Sequence, residues 1–277
     1  MFFTKKPYLR NIEKTIFFEF MNKIKIGIWG FGTTGRVVAK EFFDDKSFEL
    51  RWIIRKTKPV KTQYASHLFG CEYDAVPVWG EQDLGIDFFK DNDVDVIVDF
   101  SGTDGYKNYA AAAEQGTRII SAISNYTEQD IAQLKKYAEK TAVLYSPNIT
   151  LGINFLFVAS QIFQKIAPYA DIEIVEEHFR EKKETSGTAL KIANKLGISS
   201  DRIKSVRVGG IVGKHEIIFG LQNQTLRLTH DSINKAAFGR GAIFAAKWLI
   251  HKTKGFYSME EIITEMIAKH LPHSPVK

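Results

Sequence analysis

The sequence predicts an α/β protein with a doubly wound parallel sheet, followed by a second α+β domain that carries a mixed sheet. Three observations support this prediction. A strand pattern at residues 23–29 is followed by a glycine-rich turn and a helix pattern, and strands and helices then alternate as far as Tyr145. Several strand patterns then follow one another between Ile172 and His230. The alternating part is typical of a Rossmann-type domain.

The turn after the first strand has the spacing G-x-G-x-x-G and opens an apolar-periodic helix. In this arrangement the first glycine permits a tight turn, the second lets a pyrophosphate approach the backbone, and the third lets helix and strand pack closely. The helix N-terminus adds free N–H donors and a partial positive charge. A glycine turn that only packs is the alternative. We predict dinucleotide contacts at Gly30, Phe31, Gly32, Thr33, Thr34 and Gly35.

The second strand pattern, residues 48–54, ends in two cations, Arg55 and Lys56. Many NAD enzymes have an acidic residue at this place, which binds the ribose 2′-hydroxyl and would repel a 2′-phosphate. Two cations would instead bind that phosphate, with Lys58 and Lys61 nearby, although these two lysines also fit a solvated loop. The sequence therefore predicts NADPH as the preferred cofactor, with NADH possible.

A near-continuous apolar strand pattern at residues 92–100 ends in Ser101, Gly102 and Thr103. Ligands of doubly wound sheets lie beyond the carboxyl ends of the strands, so we expect this loop to face the nicotinamide half of the cofactor. Strand patterns at residues 118–122 and 142–145, with a helix pattern at 128–139 between them, complete the alternation.

Composition narrows the class of protein. The 277 residues carry a net charge of +6, but the basic residues are dispersed among 32 acids and no nucleic-acid-binding motif accompanies them. No apolar run approaches the roughly 20 residues that span a bilayer. A single cysteine, Cys71, excludes an internal disulfide and a cysteine-rich metal site. We expect a cytoplasmic protein with a small anionic ligand and without a metal, nucleic-acid or membrane partner.

The predicted domains follow from the change of pattern after Ser146. Residues 1–20 form a leader without the features of a signal peptide, and no function is assigned to them. Residues 21–148 together with 242–277 form the predicted dinucleotide-binding domain, and residues 149–241 form the substrate-binding and oligomerisation domain. Helix patterns at 153–165, 242–252 and 259–269 flank strand patterns at 172–178, 204–208, 215–221 and 225–230. Ser258 and Glu261 have the spacing of a capping box at the start of the last helix.

The segment 176–190 carries the candidate chemistry. His178, Arg180, Lys182 and Lys183 cluster at the end of a strand, and Ser186, Gly187 and Thr188 then open a helix. A helix N-terminus with hydroxyls and a bare glycine backbone suits a carboxylate, and the lysines offer a further cationic contact. A histidine here can donate a proton near neutral pH. A solvated charged loop ahead of a helix cap would show the same pattern.

Together these motifs resemble the 4-hydroxy-tetrahydrodipicolinate reductase family. The resemblance rests on the glycine turn, on residues 146–154 (SPNITLGIN), on Glu177-His178 with Lys182 and Ser186-Gly187-Thr188-Ala189, and on residues 211–215 (IVGKH) and His230. It covers nearly all of residues 23–263.

The resemblance implies hydride transfer from NADPH or NADH to C4 of the cyclic substrate, with loss of the 4-hydroxyl as water, in lysine and diaminopimelate biosynthesis. It implies that His178 is the proton donor, that Lys182 is its cationic partner, and that Ser186, Gly187 and Thr188 hold a carboxylate. Asn148 would lie at the domain junction near the nicotinamide. A homotetramer built through the sheet of the second domain is also implied.

The sequence departs from the family pattern at several of these places. Phe179 replaces the second of two adjacent histidines, and Thr185 replaces a proline before the Ser-Gly-Thr segment, in a loop that is one residue shorter. Residues 122–125 (AISN) replace a Gly-Thr-Thr-Gly loop, and Lys235 replaces an arginine. A proton donor, a lysine and an anion site are nevertheless retained.

Three other classes of protein are alternatives to this family. Semialdehyde dehydrogenases need a cysteine nucleophile in the second domain, whereas Cys71 lies within the first. Another two-domain NADP-dependent dehydrogenase of a small hydroxy acid, amino acid or sugar would share the architecture. A nucleotide-binding sensor without turnover would fit the substitutions at Phe179 and residues 122–125.

Overall fold

The computed structural model describes residues 23–57 and 63–271. The predicted leader and the two lysines of the loop after the second strand, Lys58 and Lys61, lie outside these ranges. The described strands are, in chain order, β1 (Ile24–Trp29), β2 (Phe48–Arg55), β3 (Val78–Gly80), β4 (Val96–Asp99), β5 (Arg118–Ser121), β6 (Ala142–Tyr145), β7 (Asp171–His178), β8 (Ile203–Arg207), β9 (Lys214–Leu221), β10 (Gln224–Asp231) and β11 (Gly255–Tyr257).

The described α-helices range from one turn to 16 residues in length. They are α1 (Thr33–Asp44), α2 (Ala65–Leu68), α3 (Phe88–Asp91), α4 (Ala110–Glu114), α5 (Glu128–Tyr137), α6 (Leu151–Ile166), α7 (Gly187–Leu196), α8 (Ala236–Leu249) and α9 (Met259–His270). None of the helices within the described ranges has the length and apolar character needed to cross a bilayer.

The first sheet is parallel throughout and has the order β11-β6-β5-β4-β1-β2-β3. The order runs outward in both directions from β1 and β4, which confirms the predicted doubly wound sheet. One apolar cluster packs α1, α8 and α9 against one face, and a second cluster, rich in Trp and Tyr, covers the other. The three-residue strands β3 and β11 were not predicted, because they are too short to show a period.

Helix α8 begins at Ala236, six residues before the predicted start at Ala242. The difference has a packing cause, because glycines that usually end a helix lie inside this one. A Cβ at Gly239 would lie 2.6 Å from Cγ of Glu41 on α1, and a Cβ at Gly241 would lie 2.0 Å from the carbonyl oxygen of Ile149. The two glycines therefore let α8 pack closely on α1 and on the main chain at Ile149.

The second sheet has the order β10-β9-β7-β8, in which β7 and β8 are parallel and the other pairs antiparallel. This arrangement confirms the predicted mixed sheet. Helices α6 and α7 pack against one face of it around a core that includes Ile174, Ile192 and Phe219. The predicted capping box at the start of α9 is also present, since Ser258 Oγ accepts from the Glu261 N–H and the Glu261 carboxylate accepts from the Ser258 N–H.

Candidate active site

A cavity of about 1080 Å³ lies between the carboxyl edge of the first sheet and the inner face of the second. It is lined by ten of the residues predicted to bind the cofactor, bind the substrate or act in catalysis. Its other lining residues come from the segments after β4, β5 and β6, from α6 and α7, and from the start of α8. The predicted residues are Thr34, Ser101, Gly102, Thr103, Asn148, His178, Lys182, Ser186, Gly187 and Thr188.

The glycine turn lies next to this cavity, and its three glycines have three different reasons to lack a side chain. Gly30 has a φ of +100°, and a Cβ there would lie 2.5 Å from the backbone of Ser101. A Cβ at Gly35 would lie 2.1 Å from the carbonyl oxygen of Gly30. A Cβ at Gly32 would meet no atom within 4 Å, so the space beside this glycine at the N-terminus of α1 is open. That space fits a pyrophosphate group.

The side chains of Thr34 and Phe31, both in the turn, differ in their access to the cavity. Thr34 lines the cavity. The Phe31 side chain is only 4% exposed and packs edge-on against Phe69, with the Arg36 guanidinium over its ring. Any cofactor contact at Phe31 is therefore confined to its main chain.

Arg55 is the last residue of β2 and Lys56 follows it, at the same edge of the sheet as the turn. The Gly30 N–H donates to the carbonyl of Ile54 over 2.7 Å, which ties the turn to the residue before Arg55. Arg55 is half-buried and Lys56 is exposed. Neither residue is among those that line the cavity.

Beneath the loop 101–103 lies a fully buried carboxyl group, Asp99 at the end of β4. It accepts hydrogen bonds from the N–H and the hydroxyl of Ser101, over 2.8 and 2.6 Å, and from the hydroxyls of Tyr109 and Tyr126, over 3.2 and 3.5 Å. Burial among uncharged groups raises the pKa of Asp99 to about 6, although the hydrogen bonds from Ser101 and the two tyrosines oppose the rise. This network holds the loop that borders the cavity.

Asn148 organises the junction between the two domains. Its side-chain oxygen accepts from the N–H and the hydroxyl of Thr150, and its carbonyl oxygen accepts from Ser146 Oγ and Asn154 Nδ2. These bonds hold the main chain at the start of α6 against the end of β6.

On the second sheet, β7 alternates between an inward and an outward face. Ile172, Ile174, Glu176 and His178 point inward and are buried, whereas Glu177 lies on the other face and pairs with Lys214. The alternation of side chains along the strand therefore places the predicted proton donor, His178, on the core side of the sheet and at the cavity.

Glu176 is fully buried, and its carboxylate contacts the Nδ1 atom of His178. The same carboxylate accepts from Ser205 Oγ over 2.6 Å, from the Ser186 N–H over 3.2 Å, and from two guanidinium nitrogens of Arg207 over 2.7 and 2.9 Å. Burial alone would raise the pKa of Glu176, but the hydrogen bonds of Arg207, Ser205, His178 and Ser186 outweigh it and lower the pKa to about 2. Glu176 is thus an anion at neutral pH.

Arg207 also holds the loop that carries Lys182. Its Nε donates to the carbonyl of Lys182 over 2.8 Å, and a terminal nitrogen donates to the carbonyl of Glu184 over 2.9 Å. Lys182 is half-buried and lines the cavity, and no carboxylate of the described residues pairs with its ammonium. The ammonium is therefore available to an anionic ligand.

The N-terminus of α7 is open towards the same cavity. Ser186 is its cap residue, but the Ser186 side chain does not bond to the helix, so the first-turn N–H groups have no side-chain cap. Instead, Ser186 Oγ lies 2.8 Å from Nε2 of His215. Burial, followed by the nearby His178, lowers the pKa of His215 to about 4, so this imidazole is neutral at neutral pH.

The structure adds residues that the sequence reasoning missed. Glu176 could have been found, because strand alternation places it on the same face as His178 and a carboxylate on a buried face needs a partner. Arg207 and His215 come from other strands, and no local pattern connects them to His178. Lys191 of α7 lines the cavity and pairs with Glu260 over 2.8 Å.

Comparison with known proteins gives consistent matches over both halves of the chain. A family model described as dihydrodipicolinate reductase, N-terminus, matches residues 24–149, and one described as dihydrodipicolinate reductase, C-terminus, matches residues 151–263. The chain is 34% identical over 203 residues to the 4-hydroxy-tetrahydrodipicolinate reductase of Archaeoglobus fulgidus, covering 62% of this chain and 76% of the relative. It is 29% identical over 272 residues to the enzyme of that name from Buchnera aphidicola, covering 87% and 98%.

Solved structures share the fold. A dipicolinate-bound dihydrodipicolinate reductase from Paenisporosarcina sp. TG-14 superposes with a TM-score of 0.73 at 22% identity, covering 87% of this chain and all of that one. A myo-inositol dehydrogenase from Corynebacterium glutamicum superposes with a TM-score of 0.57 at 14% identity, covering 85% and 90%. The two-domain architecture is thus common to enzymes with different substrates, so the fold alone does not identify the substrate.

Proposed function

The chain belongs to the dihydrodipicolinate reductase family, and we propose that it reduces 4-hydroxy-tetrahydrodipicolinate to tetrahydrodipicolinate. It is a nicotinamide-dependent oxidoreductase of lysine and diaminopimelate biosynthesis. The observation that carries the proposal is the shared cavity, in which the loops beside a dinucleotide turn face a histidine, a lysine and an open helix N-terminus.

The first domain offers the features that a dinucleotide requires. The open space at Gly32 and the N-terminus of α1 would hold the pyrophosphate, and Ser101, Gly102 and Thr103 would border the nicotinamide. When bound, the reduced nicotinamide supplies a hydride to C4 of the substrate. The hydrogen-bonded Asp99 beneath this loop keeps its main chain in place during that step.

The second domain offers the features that a dicarboxylate requires. The segment Ser186-Gly187-Thr188 would bind one carboxylate, with the N–H groups of Gly187 and Thr188 as donors, and the Lys182 ammonium adds a positive charge beside it. His178 would donate the proton with which the 4-hydroxyl leaves as water. Hydride and proton together replace the hydroxyl by hydrogen, so the reaction balances with one water released.

We propose NADPH as the preferred form of the cofactor, with NADH also accepted. Arg55 and Lys56 stand at the end of β2, where an acidic residue would repel a 2′-phosphate. The half-buried Arg55 offers a planar guanidinium that suits a phosphate.

We also propose a cytoplasmic homotetramer assembled through the second sheet. In the described part of this domain α6 and α7 pack on one face of the sheet. The opposite face carries the half-buried side chains of Val175 and Glu177 and is the face proposed for assembly. Light scattering after gel filtration would then give four times the mass of the 31.5 kDa chain. The mass of one chain would exclude this assembly.

The function is tested by following the absorbance of NADPH with freshly generated 4-hydroxy-tetrahydrodipicolinate. We expect saturable oxidation with this substrate and none with a panel of hydroxy acids, amino acids and myo-inositol. A protein that binds NADPH but gives no absorbance change at any substrate concentration would be a sensor, and turnover of a member of the panel alone would identify a different dehydrogenase.

A further inference from the structure

We propose that Glu176 is a positioning residue that holds His178 in the orientation and tautomer needed for proton donation, and that Arg207 extends this control to the loop of Lys182. The inference rests on the proposed role of His178 as proton donor. It assigns a function to a buried ion pair that has no direct contact with the substrate.

The first step concerns the ring of His178. Because Nδ1 contacts the buried carboxylate of Glu176, Nε2 is the nitrogen that remains for a ligand in the cavity. Gly213 keeps the space beside that atom open, since a Cβ there would lie 3.0 Å from Nε2. A carboxylate behind a histidine selects the ring tautomer and stabilises the imidazolium, as in catalytic triads.

The second step concerns the charges around the ring. The groups facing His178 are Glu176 on its own strand, Arg207 on β8, His215 on β9 and Lys182 in the following loop; His230 on β10 lies beyond His215. Of these only Glu176 is negative, so it is the group that attracts the N–H at Nδ1 and thereby fixes the orientation of the ring.

The third step concerns coordination between the two catalytic groups. Arg207 uses two nitrogens on Glu176 and also donates to the carbonyls of Lys182 and Glu184. The Ser186 N–H donates to the same carboxylate. One buried carboxylate therefore connects the proton donor, the lysine loop and the cap of the anion-binding helix, so a change at Glu176 reaches all three.

The test is the ring tautomer of His178 in the full-length protein, read from the nitrogen chemical shifts of labelled histidine and assigned by the signal lost in His178→Gln. We expect the neutral ring of the wild type to carry its proton on Nδ1 and Glu176→Gln to lose this preference, with a fall in kcat of about tenfold or more. Glu177→Gln, on the outer face of the same strand, is the matched control and should keep the wild-type tautomer.

Glu176→Asp keeps the charge but withdraws it by one methylene, and it serves if Glu176→Gln does not fold. This variant should weaken the preference for a proton on Nδ1 in the same direction. A folded variant of either kind with the wild-type tautomer of His178 would overturn the proposal. Since the chemical-shift measurement needs no substrate, an altered tautomer in an enzyme that does not turn over the proposed substrate would overturn the proposed function and leave the positioning role standing.

Discussion

Two fully buried carboxyl groups flank the cavity, one in each sheet, and their surroundings shift the carboxyl pKa in opposite directions. Asp99 in the first sheet contacts only hydroxyl groups and one main-chain N–H, and burial raises its pKa to about 6. Glu176 in the second sheet contacts Arg207 and His178, and its pKa is lowered to about 2.

The comparison shows that burial alone does not determine the charge of a carboxyl group. Both side chains are completely removed from solvent, so the difference arises from their partners: uncharged groups for Asp99, a bidentate guanidinium for Glu176. The cofactor side is accordingly built from backbone, hydroxyls and missing side chains. The substrate side is built from ionised groups, which suits a small dianion.

Removing the free cation of the substrate side should produce the largest effect. We expect Lys182→Ala to lower kcat/KM on the order of 1000-fold, equivalent to about 4 kcal/mol, because a desolvated carboxylate would lose its charged partner. Lys204→Ala, an exposed lysine of the same sheet, should retain wild-type kinetics. Steady-state assays compare the variants, and wild-type kinetics in Lys182→Ala would mean that this ammonium does not meet the substrate.

The neutral surroundings of Asp99 predict a pH-dependent stability. Its pKa of about 6 in the folded protein lies above the ordinary value of 3.8, so the folded state binds the proton more tightly. The stabilisation that Asp99 contributes to the wild type should therefore be lost as the pH rises from about 4 to about 6, by up to about 3 kcal/mol. Asp99→Asn has no proton to lose, so its free energy of unfolding should rise by that amount relative to the wild type over this range.

Urea unfolding at a series of pH values measures this difference. Asp87→Asn, which changes an exposed carboxyl group of the same domain, should follow the pH dependence of the wild type. A constant difference between Asp99→Asn and the wild type from pH 4 to 7 would mean that folding leaves the pKa of Asp99 unchanged.

Adding a side chain at Gly32 should have a smaller effect, which is confined to cofactor binding. We expect Gly32→Ala to weaken NADPH binding by about 10- to 100-fold, because the new methyl group would occupy the space assigned to the pyrophosphate, while the protein itself accommodates it without a clash. Gly85→Ala also places a methyl group in open space but away from the cavity. Calorimetric titration should show the loss for Gly32→Ala alone; equal affinities would show that the phosphates bind elsewhere.

The smallest effect is expected at the rim of the cofactor side. Arg55→Asp should raise the KM for NADPH about tenfold more than the KM for NADH, because the new carboxylate would repel only the 2′-phosphate. Arg51→Asp places the same charge change on the exposed face of the same strand and should alter both values alike. An equal rise with both cofactors in Arg55→Asp would remove the assignment of the 2′-phosphate.

The two sides also differ in how far the sequence predicts them. The glycine turn is a contiguous pattern, and its glycines are needed for the conformation of the local backbone. Its position before α1 was therefore predicted from the sequence, and the structure confirms it. The network of Glu176 joins residues from β7, β8 and the start of α7, and Arg207 is 31 positions away from its partner. Such a pairing depends on sheet order and register, which no local period encodes. The alternation of side chains along β7 predicts that Glu176 points inward, but it does not predict which residues Glu176 contacts.

The central claim is tested most directly by a crystal structure of the protein with NADPH and pyridine-2,6-dicarboxylate. The account predicts the pyrophosphate at Gly32, the nicotinamide beside residues 101–103, and the dicarboxylate between the nicotinamide and the first-turn N–H groups of α7, with Lys182 on a carboxylate and Nε2 of His178 facing the ring. A dicarboxylate bound away from His178 and Lys182, or a nucleotide that does not reach the cavity, would contradict it.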